Sequence, residues 1–267
     1  MYYIKLLIKN KLSLLSIIII ILYFLDYILD IIYPQYLGVS NINNLLVFRV
    51  KDYLIPIAPS LISWHLYMGT TYYGIAIFPA ILASLKIDFT VMLTSLALSV
   101  ITGFFLGYIA LISNSKIYRR AILYINRVFF DIPYIIIALL VLFVVRPSIY
   151  GIIIAIYIAW FPFYINRSYK TGHKNIKDAF MDIMPYIISD MGSMFGLITI
   201  ITFFGFYYSN PFIVDLGNIM NIDGDVSQYI SFGDWWIVIF PLIFIIVFII
   251  STSILSYRIK VVLNDKK

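Results

Sequence analysis

Six stretches of this chain run for 18 residues or more with at most two charged side chains each, and they leave few folds open. They are Leu12–Tyr33, Phe89–Ser113, Ala121–Val145, Ser148–Ile165, Met184–Tyr208 and Trp235–Ile254. Each approaches the roughly 20 residues that a helix rising 1.5 Å per residue needs to cross about 30 Å of hydrocarbon. The apolar character is continuous rather than alternating, and lipid offers no partner to an unpaired backbone amide, so helices and not barrel strands are predicted. A shorter run, Ile75–Leu85, contains Pro79 and is predicted as a separate interfacial or re-entrant helix. The expectation is an all-α integral membrane protein with six transmembrane helices in one domain over residues 1–267.

Composition agrees. Apolar residues make up 63% of the 267 and charged residues 12%, against about 45–50% and about 25% in soluble domains. Cysteine is absent, which excludes a disulfide scaffold and a thiolate-ligated metal centre. All 13 acidic side chains are Asp, so any step that needs a glutamate must use another chain. The basic start (Lys5, Lys9, Lys11) followed by an apolar run has the look of a signal peptide. The run is longer than a signal core and no small-x-small site follows it, so a retained first helix is expected.

The net charge of +6 would point to nucleic acid in a soluble protein; here the positive-inside rule accounts for it. With the N-terminus inside, the inner segments carry Lys5, Lys9, Lys11, Lys116, Arg119, Arg120 and Arg127, then Arg167, Lys170, Lys174, Lys177, Arg258, Lys260, Lys266 and Lys267. That is 15 of the 19 basic residues. Only Arg49, Lys51, Lys86 and Arg146 fall outside, and the segment from Asn210 to Asp234 has four aspartates and no Lys or Arg. Both termini are therefore predicted on the cytoplasmic side. Two outer segments, Pro34–Asp88 and Ser209–Asp234, are longer than hairpins require, so they fold on the outer face or receive a partner there. The longest inner connection is Asn166–Ile183.

No residue set for ordinary catalysis is visible. His65 and His173 fall on opposite sides, and there is no phosphate loop, His-Glu-x-x-His pair or nucleophile elbow. Three classes remain: a passive path, a secondary transporter, or the membrane half of a machine powered elsewhere. Charges within the spans bear on the second. Asp26 and Asp30 lie four apart on one helix face, about 6 Å from each other. They suit a coupling-ion site, or two carboxylates near the interface facing a partner helix. Arg127 and Asp131 have the same spacing and are predicted to pair. Asp190 is predicted near the start of the fifth helix, where the dipole favours a carboxylate. No acidic residue is predicted at mid-depth, which weakens the carrier reading. Tyr207, Tyr208, Trp235 and Trp236 read as interface anchors. Trp160, followed by Pro162, lines a path or anchors the inner interface; the sequence leaves both open.

Several strings occur in an order that carries a resemblance. His65-Leu66-Tyr67-Met68-Gly69-Thr70, followed by Gly74, comes first; Gly103, Gly107 and Tyr108 lie in the second span, where small residues permit close helix contact. Then come Asp131-Ile132-Pro133, the set Trp160, Tyr164 and Arg167, and Phe203-Phe204-Gly205-Phe206 with Pro211 and Leu216-Gly217-Asn218-Ile219-Met220. Asp234-Trp235-Trp236 and Phe240-Pro241 close the series. From about Trp64 onward the chain resembles the permease subunits of dipeptide/oligopeptide-type ABC importers, with a type I importer architecture.

The resemblance implies a non-enzymatic transport subunit in the plasma membrane. It would form half of a heterodimeric path for peptides or another small solute, such as an oligosaccharide. Its partners would be a second permease, two ATPase subunits holding ATP and Mg, an extracellular solute-binding protein and the lipid bilayer, with no nucleic acid and no cofactor or metal of its own. Trp160, Phe203, Phe204 and Gly205 would line the path. In this family the loop between the fourth and fifth spans carries a Glu-Ala-Ala helix and a downstream Gly that dock into the ATPase. Here the loop is shorter, only Asp178-Ala179 echoes the acidic-Ala pair, and the Gly is missing. The residues themselves predict two helical turns over Asn175–Ile183, with Asn175 as N-cap and Ile176, Ala179, Phe180 and Ile183 on one face. Lys174, Asn175, Ile176, Asp178, Ala179, Phe180 and Ile183 are thus the expected ATPase-coupling residues; an ordinary basic loop at the lipid surface is the other reading. A stand-alone secondary transporter or channel using Asp26 and Asp30 is the alternative function.

Overall fold

The computed structural model describes residues 7, 10–33, 56–72, 74–206, 215–221 and 226–264. Tyr207, Tyr208, Pro211, Asp223, Asp225, Lys5, Lys9, Arg49, Lys51, Lys266 and Lys267 lie outside the described residues, as does most of the segment after Tyr33. Among the described residues the chain is helical and forms no strand. The longer helices are α1 (Lys11–Ile32), α2 (Ile77–Ile112), α3 (Lys116–Phe130), α4 (Tyr134–Val145), α5 (Ile149–Lys170) and α6 (Ile176–Phe203). The short α7 (Leu216–Asn221) and α8 (Val226–Phe232) precede α9 (Trp236–Asn264). Five helices, α1, α2, α5, α6 and α9, are long and apolar enough to cross a membrane, and the bent pair α3–α4 makes a sixth crossing if taken as one span. These are the helices of a multi-pass membrane protein.

Several boundaries differ from the expectation, the last helix running to Asn264 rather than Ile254 and α5 to Lys170 rather than Ile165. The run Ile75–Leu85 is not a separate helix but the first part of α2, which at 36 residues is about 54 Å long. Pro79 is its third residue, where the missing N–H has no intrahelical partner to lose. The third span is two helices meeting at 92°. Pro133 drives its predecessor out of the helical region, and the break falls at Asp131–Pro133. As a result α3 is amphipathic, while the 12 apolar residues of α4 reach only about 18 Å. Asp131 ends α3 with its backbone N–H on the Arg127 carbonyl (3.3 Å), and no Arg127–Asp131 ion pair forms among the described residues. Finally, the fifth span and the preceding two-turn segment are one helix. Pro185 is accommodated inside α6, and Ser256 Oγ donates to its carbonyl at 2.6 Å.

The chain forms two compact units. One draws on Val91–Met194 and on the described parts of Met1–Ile18 and Ile249–Lys267. Its core is a close helix pair. Along α2 the residues Ser95, Ser99, Gly103 and Gly107 recur every fourth position and face the carbonyls of Ile153, Tyr157, Phe161 and Ile165 on α5. Ser95 Oγ reaches the Ile153 carbonyl at 3.3 Å and Ser99 Oγ the Tyr157 carbonyl at 3.4 Å. A Cβ on Gly103 would sit 2.5 Å from the Phe161 carbonyl oxygen, and one on Gly107 would strike the Ile165 carbonyl. Ser168 Oγ closes the seam by donating to the Phe104 carbonyl at 2.9 Å. The i+4 ridge of small residues on α2 lets its backbone approach the carbonyls of a matching i+4 row on α5, as membrane helices require in the absence of a hydrophobic drive between them.

The second unit draws on the described parts of Ile19–Thr90 and Phe195–Phe248. Phe89 is its hub, fully buried with ring centroids of Phe24, Tyr27, Phe195 and Phe248 between 5.2 and 5.7 Å away. Tyr23 packs on Phe244 (4.3 Å) and donates its hydroxyl to the Phe244 carbonyl at 2.6 Å. The aromatic wealth of the chain thus fills a core as well as an interface.

Candidate functional site

The expected coupling residues sit on a short, firmly held turn. After α5, Gly172 adopts φ +69°, a left-handed conformation that costs glycine least, and the chain re-enters a helix within four residues. Asn175 caps α6 as its side chain predicts, accepting the Lys177 N–H at 3.0 Å. Tyr108 donates its hydroxyl to the Lys174 carbonyl at 2.7 Å, and His173 Nε2 lies 3.0 Å from Asp182 Oδ2. Lys174, Asn175, Ile176, Lys177 and Asp178 are exposed, whereas Ala179 and Ile183 are buried. Phe180 is 39% exposed and meets the edge of Phe104 at 5.5 Å, so it is partly a packing residue rather than a free knob.

Beneath this turn lies a charged arrangement that sequence reasoning missed. The Arg167 guanidinium forms a two-pronged ion pair with the Asp190 carboxylate and stacks over Tyr186 (4.5 Å) and Tyr164 (5.3 Å). Asp190 is the fifteenth residue of α6, far from the helix start where it was predicted, because α6 begins earlier than the apolar run alone implies. The signal was present as a lone Asp inside one apolar run and an Arg two residues past the end of another, at positions whose proximity only packing decides.

The four candidate path residues fall in both units. In the first, Trp160 is 4% exposed and packs on Tyr134 (4.7 Å), so within this chain it is a core residue. In the second, Phe203-Phe204-Gly205-Phe206 ends α6. Gly205 (φ +88°) donates to the Thr202 carbonyl at 3.0 Å and Phe206 to the Ile201 carbonyl at 3.2 Å, which is a Schellman stop. Asn221 Nδ2 caps the Phe203 carbonyl at 2.9 Å, and a Cβ on Gly217 would fall 2.5 Å from the Phe203 nitrogen. The two strings therefore meet in space. So do two others: Trp236 Nε1 donates to the Thr70 carbonyl at 3.2 Å, and Gly69 lies against the Trp236 ring. Trp236, predicted as an interface anchor, is buried by this contact; Trp235 remains 49% exposed.

Asp26 and Asp30 are buried in the second unit, and Lys86, expected as a loop charge, pairs with Asp30 at 3.8 Å. Among the described residues no group of three His or Asp side chains is placed to hold a metal ion. No protein-family model matches the chain, and no curated protein matches it. The geometry therefore carries the functional argument.

A second buried feature has a measurable consequence. Asp88 Oδ2 accepts the Leu216 N–H at 3.1 Å, and Asp215 Oδ1 accepts the Asn218 N–H at 2.9 Å, so two buried carboxyls fix the start of α7. Burial pushes the Asp215 carboxyl up to about 6, against hydrogen bonds from Thr202 and from the Asn218 and Gly217 backbones that pull it down. A folded-state value above the unfolded one makes this group's contribution greatest below pH ~4, and that contribution fades as pH rises through about 6. The melting temperature of the detergent-solubilised protein is expected to rise on acidification from pH 7 to 5. Asp215→Asn, which cannot titrate, is expected to flatten that profile; an unchanged slope would refute the assignment.

Proposed function

We propose that this chain is a transmembrane permease subunit of an ATP-driven ABC importer of small solutes, working with a second permease and with ATPase subunits on its basic side. Peptides or oligosaccharides are the substrate classes that the family resemblance favours. The carrying observation is the turn at Lys174–Phe180. It is exposed and charged, yet pinned by Tyr108, Phe104 and the His173–Asp182 contact. It is also continuous with a 28-residue apolar helix. A push on Ile176–Phe180 would act directly on α6 rather than be absorbed by a loop, which suits rigid-body alternation of access. Orientation follows from the same reading, with the 15 basic residues cytoplasmic.

The test is purification of the tagged chain from its native plasma membrane in mild detergent. A second permease and two ATPase subunits are expected to co-elute; recovery of the chain alone would refute the proposal. The alternative, a stand-alone carrier or channel using Asp26 and Asp30, has weaker support because Lys86 already compensates Asp30. Flux driven by an ion gradient through the chain reconstituted alone would reverse that preference.

A further inference from the structure

At the charged end of the first unit, the last turns of α5 and α9 and the second and third turns of α6 line a half-open cavity of about 240 Å³. At about 30 Å³ per water it has room for about eight water molecules, enough for a hydrated anion. Its lining includes the donors Lys170, Lys260 and Asn264 and the apolar Ile183, Pro185 and Leu263, while the Thr171 hydroxyl is committed to the Ser168 carbonyl at 2.9 Å. Two charged groups on the wall are already engaged, Arg167 by Asp190 and Asp182 by His173. Lys170 and Lys260 form no ion pair among the described residues. Arg167 and Lys260 nevertheless lean on one Tyr186 ring, at 4.5 and 5.7 Å from its centroid. With Arg167 compensated by Asp190, the two lysines that line the cavity without a counter-charge raise the local potential and favour an anion.

We propose that this cavity binds a phosphate group, with Lys170 and Lys260 supplying charge and Asn264 a neutral hydrogen bond. The cavity lies where apolar helices end in charged turns, the level at which a headgroup phosphate would meet them in a bilayer, and its apolar side chains would contact the first part of an acyl chain. An anionic phospholipid is thus the favoured source, and free phosphate is the other. The assignment does not rest on the transporter reading and holds whatever drives the chain.

The test uses the full-length chain, delipidated in dodecyl maltoside and titrated with dioleoylphosphatidylglycerol, dioleoylphosphatidylcholine or inorganic phosphate. Bound ligand is counted by native mass spectrometry. Phosphatidylglycerol is expected to bind in preference to phosphatidylcholine. The exposed double variant K170Q/K260Q is expected to weaken that binding about twenty-fivefold, at about a fivefold loss per lysine. The control K116Q/R120Q, outside the cavity, is expected to retain it. Binding of inorganic phosphate alone, lost in K170Q/K260Q, would uphold the site and identify free phosphate as its source. Equal binding of the two lipids, an affinity unmoved by K170Q/K260Q, or no binding of any of the three would overturn the proposal.

Discussion

Gly103→Leu is expected to prevent the first unit from packing, with a loss of about 3 kcal/mol or more in stability. Even the first carbon of the new side chain would lie 2.5 Å from the Phe161 carbonyl and 2.6 Å from Tyr164 Cβ, so α2 and α5 must separate along their length. Separation would also break the serine contacts above and below, at Ser95, Ser99 and Ser168. The comparison is Ser99→Ala, which removes a hydroxyl but adds no volume and is expected to cost less than about 1 kcal/mol. Melting followed by size-exclusion chromatography in detergent separates the two. Comparable melting of both variants would show that the helices do not approach this closely.

Removing one partner of the Arg167–Asp190 pair is expected to have the next largest effect. Asp190→Ala leaves a guanidinium wedged among Tyr164, Tyr186 and Phe163 with its counter-charge gone. A fully buried broken pair costs about 3–5 kcal/mol; because the Arg167 side chain is 23% exposed, about 2–3 kcal/mol is expected. The double variant Arg167→Met with Asp190→Leu removes both charges and keeps the volume. It is expected to recover most of the loss, since no charge is left unpaired. A double-mutant cycle in thermal melting checks this, and simple additivity of the two single losses would sink the idea of a coupled pair.

The sequence determined what kind of molecule this is. Hydrophobic runs too long for a soluble core imposed helices, because backbone polar groups in lipid must be satisfied within the segment itself. It also marked the tight seam through Gly103 and Gly107 and the Asn175 cap, both of them consequences of local chemistry, but not the break before Pro133, which splits a run it read as one span. It did not reveal that the two turns capped by Asn175 run on without a break into the fifth span, since Pro185 lies at the junction and its place inside one helix is decided by tertiary contacts. Nor did it reveal that Trp236 turns inward to Thr70, or that Arg167 reaches Asp190 across 23 residues and Asp88 reaches Leu216 across 128. Each of these joins a charge or a polar ring to a partner distant in sequence. Burial makes an unpaired polar group costly, and which partner relieves that cost is set by the helix packing that brings the two together.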